Sequence, residues 1–92
     1  MAVTRRLRIH GRVQGVFYRG WSVETARALG LRGWVRNRHD GSVEMLIRGD
    51  KERVERMIAR CREGPPAARV DRVDAVEDSE EAPAAFEARA TV

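Results

Sequence analysis

GWVRNRHDGSVEMLIRGDKERVERMIARCR, residues 33–62, decides how this 92-residue chain folds. Gly33 to Asn37 reads as a strand, and Arg38-His39-Asp40-Gly41 as a turn. Asp-Gly between apolar runs is a strong short-range hairpin signal. Val43, Met45 and Ile47 then alternate with Glu44, Leu46 and Arg48, the period of a strand, closed by Gly49. Asp50 is a suitable helix N-cap, with Glu52 in the first turn to complement the helix dipole. Val54, Met57, Ile58 and Cys61 follow at i, i+3, i+4 and i+7, one apolar stripe, with Arg53, Glu55, Arg56, Arg60 and Arg62 outside it. The stretch is therefore strand, hairpin, strand, helix.

Outward toward the N-terminus, Leu7 and Ile9 alternate with Arg8 and His10, which predicts a strand over residues 5–12. Gln14 to Gly20 is short and glycine-punctuated and reads as a tight loop. Residues 21–29 read as a helix stopped by Gly30. Toward the C-terminus, Gly64-Pro65-Pro66 ends the second helix and Val70 to Val76 form a further strand. Val70, Val73 and Val76 break strict alternation, which predicts a bulge. Asp78 to Pro83 is an acidic loop, and residues 86–90 are a weak, Ala-rich edge strand. The order β-α-β-β-α-β plus a short terminal strand predicts an α+β fold. It is the ferredoxin-like split βαβ sandwich: an antiparallel-rich sheet with both helices on one face. Residues 1–92 read as a single domain.

Composition narrows function. Hydrophobic residues are 42% and charged residues 35% of the chain, a globular balance. No apolar run approaches the ~20 residues of a membrane helix, and MAVTRRLRIHG lacks the apolar core of a signal peptide. A lone cysteine, Cys61, excludes a disulfide framework and argues against a thiolate metal site, which suits a reducing cytoplasm. Residues 1–62 carry fifteen bases and six acids, and residues 63–92 carry three and eight, so an anionic ligand should meet the first two thirds of the chain. The chain holds a single Gln, Gln14, and a single Asn, Asn37. Both stand in motif-like surroundings.

The Gln14–Arg19 loop enters a helix N-terminus, where unpaired N–H groups and the helix dipole favour an anion. Gly15 suits a backbone that other residues resist. Arg19 closes the loop, and its planar fork suits two phosphate oxygens. Taken alone, the loop is better read as a plain strand–helix connection with a solvated Arg19, and Asn37 alone as a turn-capping residue. An amide accepts and donates at once, however, and fixes a water without changing its own charge.

Together, GRVQGVFYR (residues 11–19) and GWVRNRHDGSVEMLIRG (residues 33–49) resemble the two signature motifs of the acylphosphatase family. The fixed positions Gly11, Val13, Gln14, Gly15, Val16, Arg19, Gly33, Trp34, Val35, Asn37, Gly41, Val43 and Gly49 are all present. The resemblance spans essentially the whole chain, and the family's fold is the element order read above. It implies hydrolysis of a small-molecule acyl phosphate to a carboxylate and inorganic phosphate, with no metal, no cofactor and no covalent intermediate. It implies a substrate-binding loop of Gln14, Gly15, Val16, Phe17, Tyr18 and Arg19. Arg19 would be the essential phosphate-binding arginine and Asn37 the asparagine that orients the attacking water. Inorganic phosphate or another small oxyanion would compete for the site. The implied protein is a cytoplasmic monomer with no nucleic-acid or membrane partner.

This agrees with what the sequence lacks. There is no Ser–His–Asp arrangement, no spaced metal-ligand cluster and no Walker loop. A carboxylate leaving group, with a pKa near ~4, departs without protonation, and a loose phosphoryl transfer mainly asks for positioning and charge stabilisation. Gly20 directly after Arg19 predicts a loosened loop-to-helix joint, and Ser42 is placed to support Asn37 or a water. His10 and His39 read as exposed or turn residues, Cys61 and Trp34 as packing, and one of Phe17 and Tyr18 as packing. Two rivals share the scaffold. A sheet-face RNA binder needs aromatics on its central strands, and residues 42–48 have none. An acylphosphatase-like domain handling carbamoyl phosphate within a larger enzyme carries the same motifs, and the short chain argues against it.

Overall fold

The computed structural model describes residues 1–92. Its elements run β1 (Ala2–Arg12), α1 (Tyr18–Ala28), β2 (Arg32–Asn37), β3 (Val43–Asp50), α2 (Lys51–Glu63), β4 (Arg69–Glu77) and β5 (Glu87–Ala88). One five-stranded sheet has the order β4-β1-β3-β2-β5. All neighbours are antiparallel except β2 and β5, which pair in parallel. The ferredoxin-like arrangement is as predicted, with β5 at the edge. No helix is long and apolar enough to cross a membrane.

Strand parity sorts the sheet into two faces. Leu7, Ile9, Val35, Val43, Met45 and Ile47 share one cluster with Ala26 of α1 and Val54, Met57, Ile58 and Cys61 of α2, so both helices cover the same face. Trp34 and Leu46, both buried, point the other way and pack with Ala82 of the acidic loop. β2 and β3 are thus buried on both faces. Trp34 is packing, as read from the sequence, but outside the main core. Its ring lies beneath the guanidinium groups of Arg36, Arg89 and Arg6 at 4.5, 5.1 and 5.5 Å.

The predicted bulge is present. His10 and Gly11 of β1 face Arg72 and Val70, so Asp71 of β4 is the extra residue. Its insertion brings Val70 and Val73 to the core-facing side and leaves Val76 exposed. Gly11 lies at φ 128° opposite, where a Cβ would collide with the Arg69 carbonyl.

Element bounds differ from the sequence reading at three places. β1 starts at Ala2, because Ala2 and Val3 still find partners in Asp50 and Gly49. β5 shrinks to two residues in regular pairing, although Arg89 and Val92 continue to donate to the Val35 and Asn37 carbonyls. α1 begins at Tyr18 and not at residue 21. Gly20 therefore lies inside the helix, with the Phe17 ring resting where its side chain would be. The joint read as loose is a site of contact.

Candidate functional site

Register decides where the two motifs meet. β3 lies between β1 and β2, and one row across the sheet runs Asn37, Val43, Ile9. The Gln14–Arg19 loop leaves the same end of β1 at which the β2–β3 hairpin turns. Asn37 also falls two residues after Val35, on the helix-covered face, where the N-terminus of α1 lies. Sequence spacing left the relation of Arg19 to Asn37 open, because no local pattern reveals that β3 sits between β1 and β2. The sheet order puts both residues at one end and on one face.

Alternate burial shapes the loop. Val13, Val16 and Tyr18 are buried, and Gln14, Gly15, Phe17 and Arg19 are half-buried or exposed. Gly15 (φ 74°) and Phe17 (φ 66°) both take left-handed backbone, which is uncommon for a bulky residue. This pair of turns runs the chain directly into α1. The first helical bond is Trp21 N–H to the Phe17 carbonyl at 3.0 Å, and no loop bond is donated by an amide from Gly15 to Gly20. A run of N–H groups at a helix start is thus left without an acceptor in the chain.

Tyr18 belongs to the core. It is 2% exposed, and its hydroxyl donates to the Cys61 carbonyl at 2.7 Å. Burial, reinforced by that contact, pushes the phenol well above its ordinary pKa. Its side chain packs while its backbone stays in the loop-to-helix joint, so Tyr18 is the packing member of the Phe17–Tyr18 pair. Phe17, 64% exposed, is the outward one. Cys61 packs as read, and burial pushes its thiol up to about 12.

Arg19 is half-buried and has no carboxylate partner. The bases around the hairpin differ: Arg8 faces Asp40, and Arg36 and Arg38 both reach Glu44. Asn37 is also half-buried. Its backbone carbonyl accepts from the Val92 N–H at 3.1 Å, and its side-chain amide has no partner in the chain. Gln14 is committed elsewhere. Its amide nitrogen donates to the Arg38 carbonyl at 2.7 Å and to the Ser42 carbonyl at 2.9 Å. Ser42, read as a support for Asn37 or a water, instead donates its hydroxyl to Asp40 Oδ1 at 2.6 Å, as does its backbone N–H at 2.9 Å. These bonds lower the Asp40 pKa. They close an Asx-type turn, which competes for the hydroxyl.

Glu44 is the residue that sequence reading missed. It is 3% exposed. Its Oε1 accepts from Arg36 and Arg38, each at 2.8 Å, and its Oε2 from Arg6 at 2.7 Å. Burial alone would raise its pKa, but the hydrogen bonds from Arg36, Arg6 and Arg38 override that and hold it at about 2. A glutamate alternating with apolar residues reads as solvent-facing. The one available signal was the density of arginine on neighbouring strands. His10, read as an exposed or turn residue, is half-buried in β1, with its Nε2 3.3 Å from Asp74.

A surface cavity of about 650 Å³ opens at the other end of the sheet, around Thr4, Arg48, Asp78 and Glu80. Two of its bases are engaged, Arg48 with the Thr4 hydroxyl and Arg32 with the Ala82 carbonyl. At the end that carries Arg19 and Asn37, both side chains lack a partner in the chain.

Known proteins resemble this chain over nearly its full length. The family model described as Acylphosphatase matches residues 5–88. An acylphosphatase from Rhizorhabdus wittichii is 60% identical over 77 residues, 84% of this chain and 77% of that protein. One from Acidovorax sp. is 53% identical over 91 residues, 99% of this chain and 94% of that protein. The solved structure of an acylphosphatase from Coxiella burnetii superposes with a TM-score of 0.92 at 33% identity, covering 96% of this chain and 93% of that one.

Proposed function

The chain belongs to the acylphosphatase family and hydrolyses acyl phosphates, and from that premise we propose how its own residues divide the reaction. The amides of Gly15 to Arg19 and the Arg19 guanidinium hold the phosphoryl oxygens. Asn37 holds the attacking water, accepting from it through its carbonyl oxygen and orienting it toward phosphorus. The P–O bond to the acyl group breaks with its electron pair on the departing carboxylate. That carboxylate needs no proton, since its pKa is near ~4. The proton lost by the water goes to a phosphoryl oxygen, because a neutral amide is no base at pH 7. The products are a carboxylate and inorganic phosphate, and free phosphate competes for the loop.

One observation carries this reading. Three polar elements without a partner in the chain, the Gly15–Gly20 amides, the Arg19 side chain and the Asn37 side-chain amide, are carried by segments that meet at one end of the sheet. Fixed donors aimed at the place where charge develops are worth far more there than in water. On this reading residues 1–92 act as one domain and a cytoplasmic monomer that needs no metal.

The test is hydrolysis of benzoyl phosphate with a chelator present, for the wild type, Arg19→Ala and Asn37→Ala. We expect turnover in the wild type, lost in both variants, with phosphate binding, read by calorimetric titration, lost only in Arg19→Ala. Near-wild-type turnover in either variant, or loss of wild-type turnover to the chelator, overturns the assignment. Asn37→Asp sharpens it, since a rate near wild type there would rule out a role for the neutral amide.

A further inference from the structure

The two halves of the site belong to different parts of the chain, and a single side chain joins them. Gln14 directly precedes Gly15 at the start of the phosphate loop. Its amide nitrogen reaches the Arg38 and Ser42 carbonyls at 2.7 and 2.9 Å, both partly buried. Arg38 directly follows Asn37. The same two carbonyls already close the hairpin, Ser42 O accepting from Arg38 N–H at 2.9 Å and Arg38 O from Gly41 N–H at 3.0 Å. Each oxygen has a second lone pair, and Gln14 uses both. Beyond this clamp the hairpin tip is open, with His39, Asp40 and Gly41 exposed.

We propose that Gln14 is a positioning residue, which sets the Asn37 hairpin at working distance from the phosphate loop rather than binding phosphate with its side chain. This rests on the roles proposed above for Arg19 and Asn37. The residue type follows from the acceptors. Two carbonyls 2.7 and 2.9 Å from one nitrogen call for two N–H donors on that atom, which a side-chain amide supplies. A hydroxyl has one donor, a carboxylate offers only acceptors, and Asn is one methylene shorter. In a chain with one Gln and one Asn, the two side-chain amides then serve one device: Gln14 fixes the hairpin and Asn37 meets the water.

The chain itself supplies the readout. With one Gln and one Asn, the side-chain NH2 region of a 15N–1H spectrum contains two pairs, one from Gln14 and one from Asn37. In Gln14→Ala, and in Gln14→Met, which keeps the volume and removes the donors, we expect the Asn37 pair to shift or broaden. kcat should fall about 100-fold, the scale of a misplacement of about 1 Å. The inhibition constant of inorganic phosphate should stay within about threefold, because binding at the loop is separate from positioning of the water. In the wild type both Gln14 amide protons should exchange slowly, a test that needs no variant to fold. Free exchange of those protons, an unchanged kcat, or phosphate affinity falling in step with kcat would each overturn the proposal. Failure of the underlying reading shows elsewhere, as turnover surviving Arg19→Ala or Asn37→Ala.

Discussion

Arg19 and Asn37 occupy the same end of one sheet, yet they are held there by different forces. Arg19 follows Tyr18, whose ring is buried in the main apolar cluster with Val13 and Val16. The Tyr18 hydroxyl caps Cys61, whose carbonyl lies in the last turn of α2 and lacks a helical partner. Asn37 is flanked by Arg36 and Arg38, and both grip the single carboxylate of Glu44 on the opposite face. The first anchor is apolar and indifferent to pH until the protein unfolds. The second is ionic and depends on one carboxylate keeping its charge. Half of the proposed site is therefore tied to the core, and the other half to an electrostatic hub that can be discharged separately.

The largest effect should come from breaking the apolar anchor. Tyr18→Ala removes a fully buried aromatic ring and should cost about 4 kcal/mol of unfolding free energy, read by denaturant titration. Breaking the ionic anchor comes next. Glu44→Ala leaves Arg36 and Arg38 without their shared carboxylate, and should cost roughly 3 kcal/mol. It should also lower kcat at a phosphate inhibition constant that stays near wild type, because the hairpin is disturbed and the loop is not. Equal loss of both quantities would refute the division into two anchors.

Acid should discharge the second anchor without mutation. The Glu44 pKa is 4.5 in its ordinary state and about 2 in the folded chain. A carboxyl with a depressed folded pKa stabilises above the ordinary value, and that contribution is lost as pH falls from about 4.5 toward 2. Stability measured across this window should fall less steeply in Glu44→Gln than in the wild type, and matching slopes would show that Glu44 is not the hub. A smaller effect is expected of Tyr18→Phe. It keeps the ring and leaves the Cys61 carbonyl without its donor, a cost of roughly 1–2 kcal/mol, with kcat retained. The smallest belongs to Gly20→Ala. The obstacle at its Cβ is the ring of the exposed Phe17, which is free to swing aside, so helix propensity should prevail and stability rise by up to about 1 kcal/mol.

Much of the fold was legible because its signals are local. The stripe Val54, Met57, Ile58, Cys61 and the stop at Gly64 describe α2 as observed, with Asp50 at its N-cap position. The uneven spacing of Val70, Val73 and Val76 reported the bulge at Asp71. The start of α1 was misplaced because Tyr18-Arg19-Gly20 has poor helix propensity, and burial of Tyr18 overrides it. Trp34 and Val35 face opposite sides of one strand, and the sequence reading took Trp34 as packing without showing what covers that second side. Of the covering groups, Arg36 lies two residues away in the same strand, and Ala82, Arg6 and Arg89 come from distant segments.

By itself the sequence determined the element order, which depends on residues only a few positions apart, and it nominated Arg19 and Asn37 through the resemblance of residues 11–19 and 33–49 to the family's motifs. Only the tertiary structure decided how the loop meets the hairpin, that Gln14 bridges them, and that Glu44 lies buried beneath Arg6, Arg36 and Arg38. The bonds of Gln14 and Arg6 span 24 to 38 positions in the chain, those of Arg36 and Arg38 to Glu44 cross a hairpin, and the meeting of loop and hairpin depends on which strand lies between two others. Hydrogen bonds and ion pairs leave no periodic trace in a sequence, because a donor and its acceptor need only meet in space.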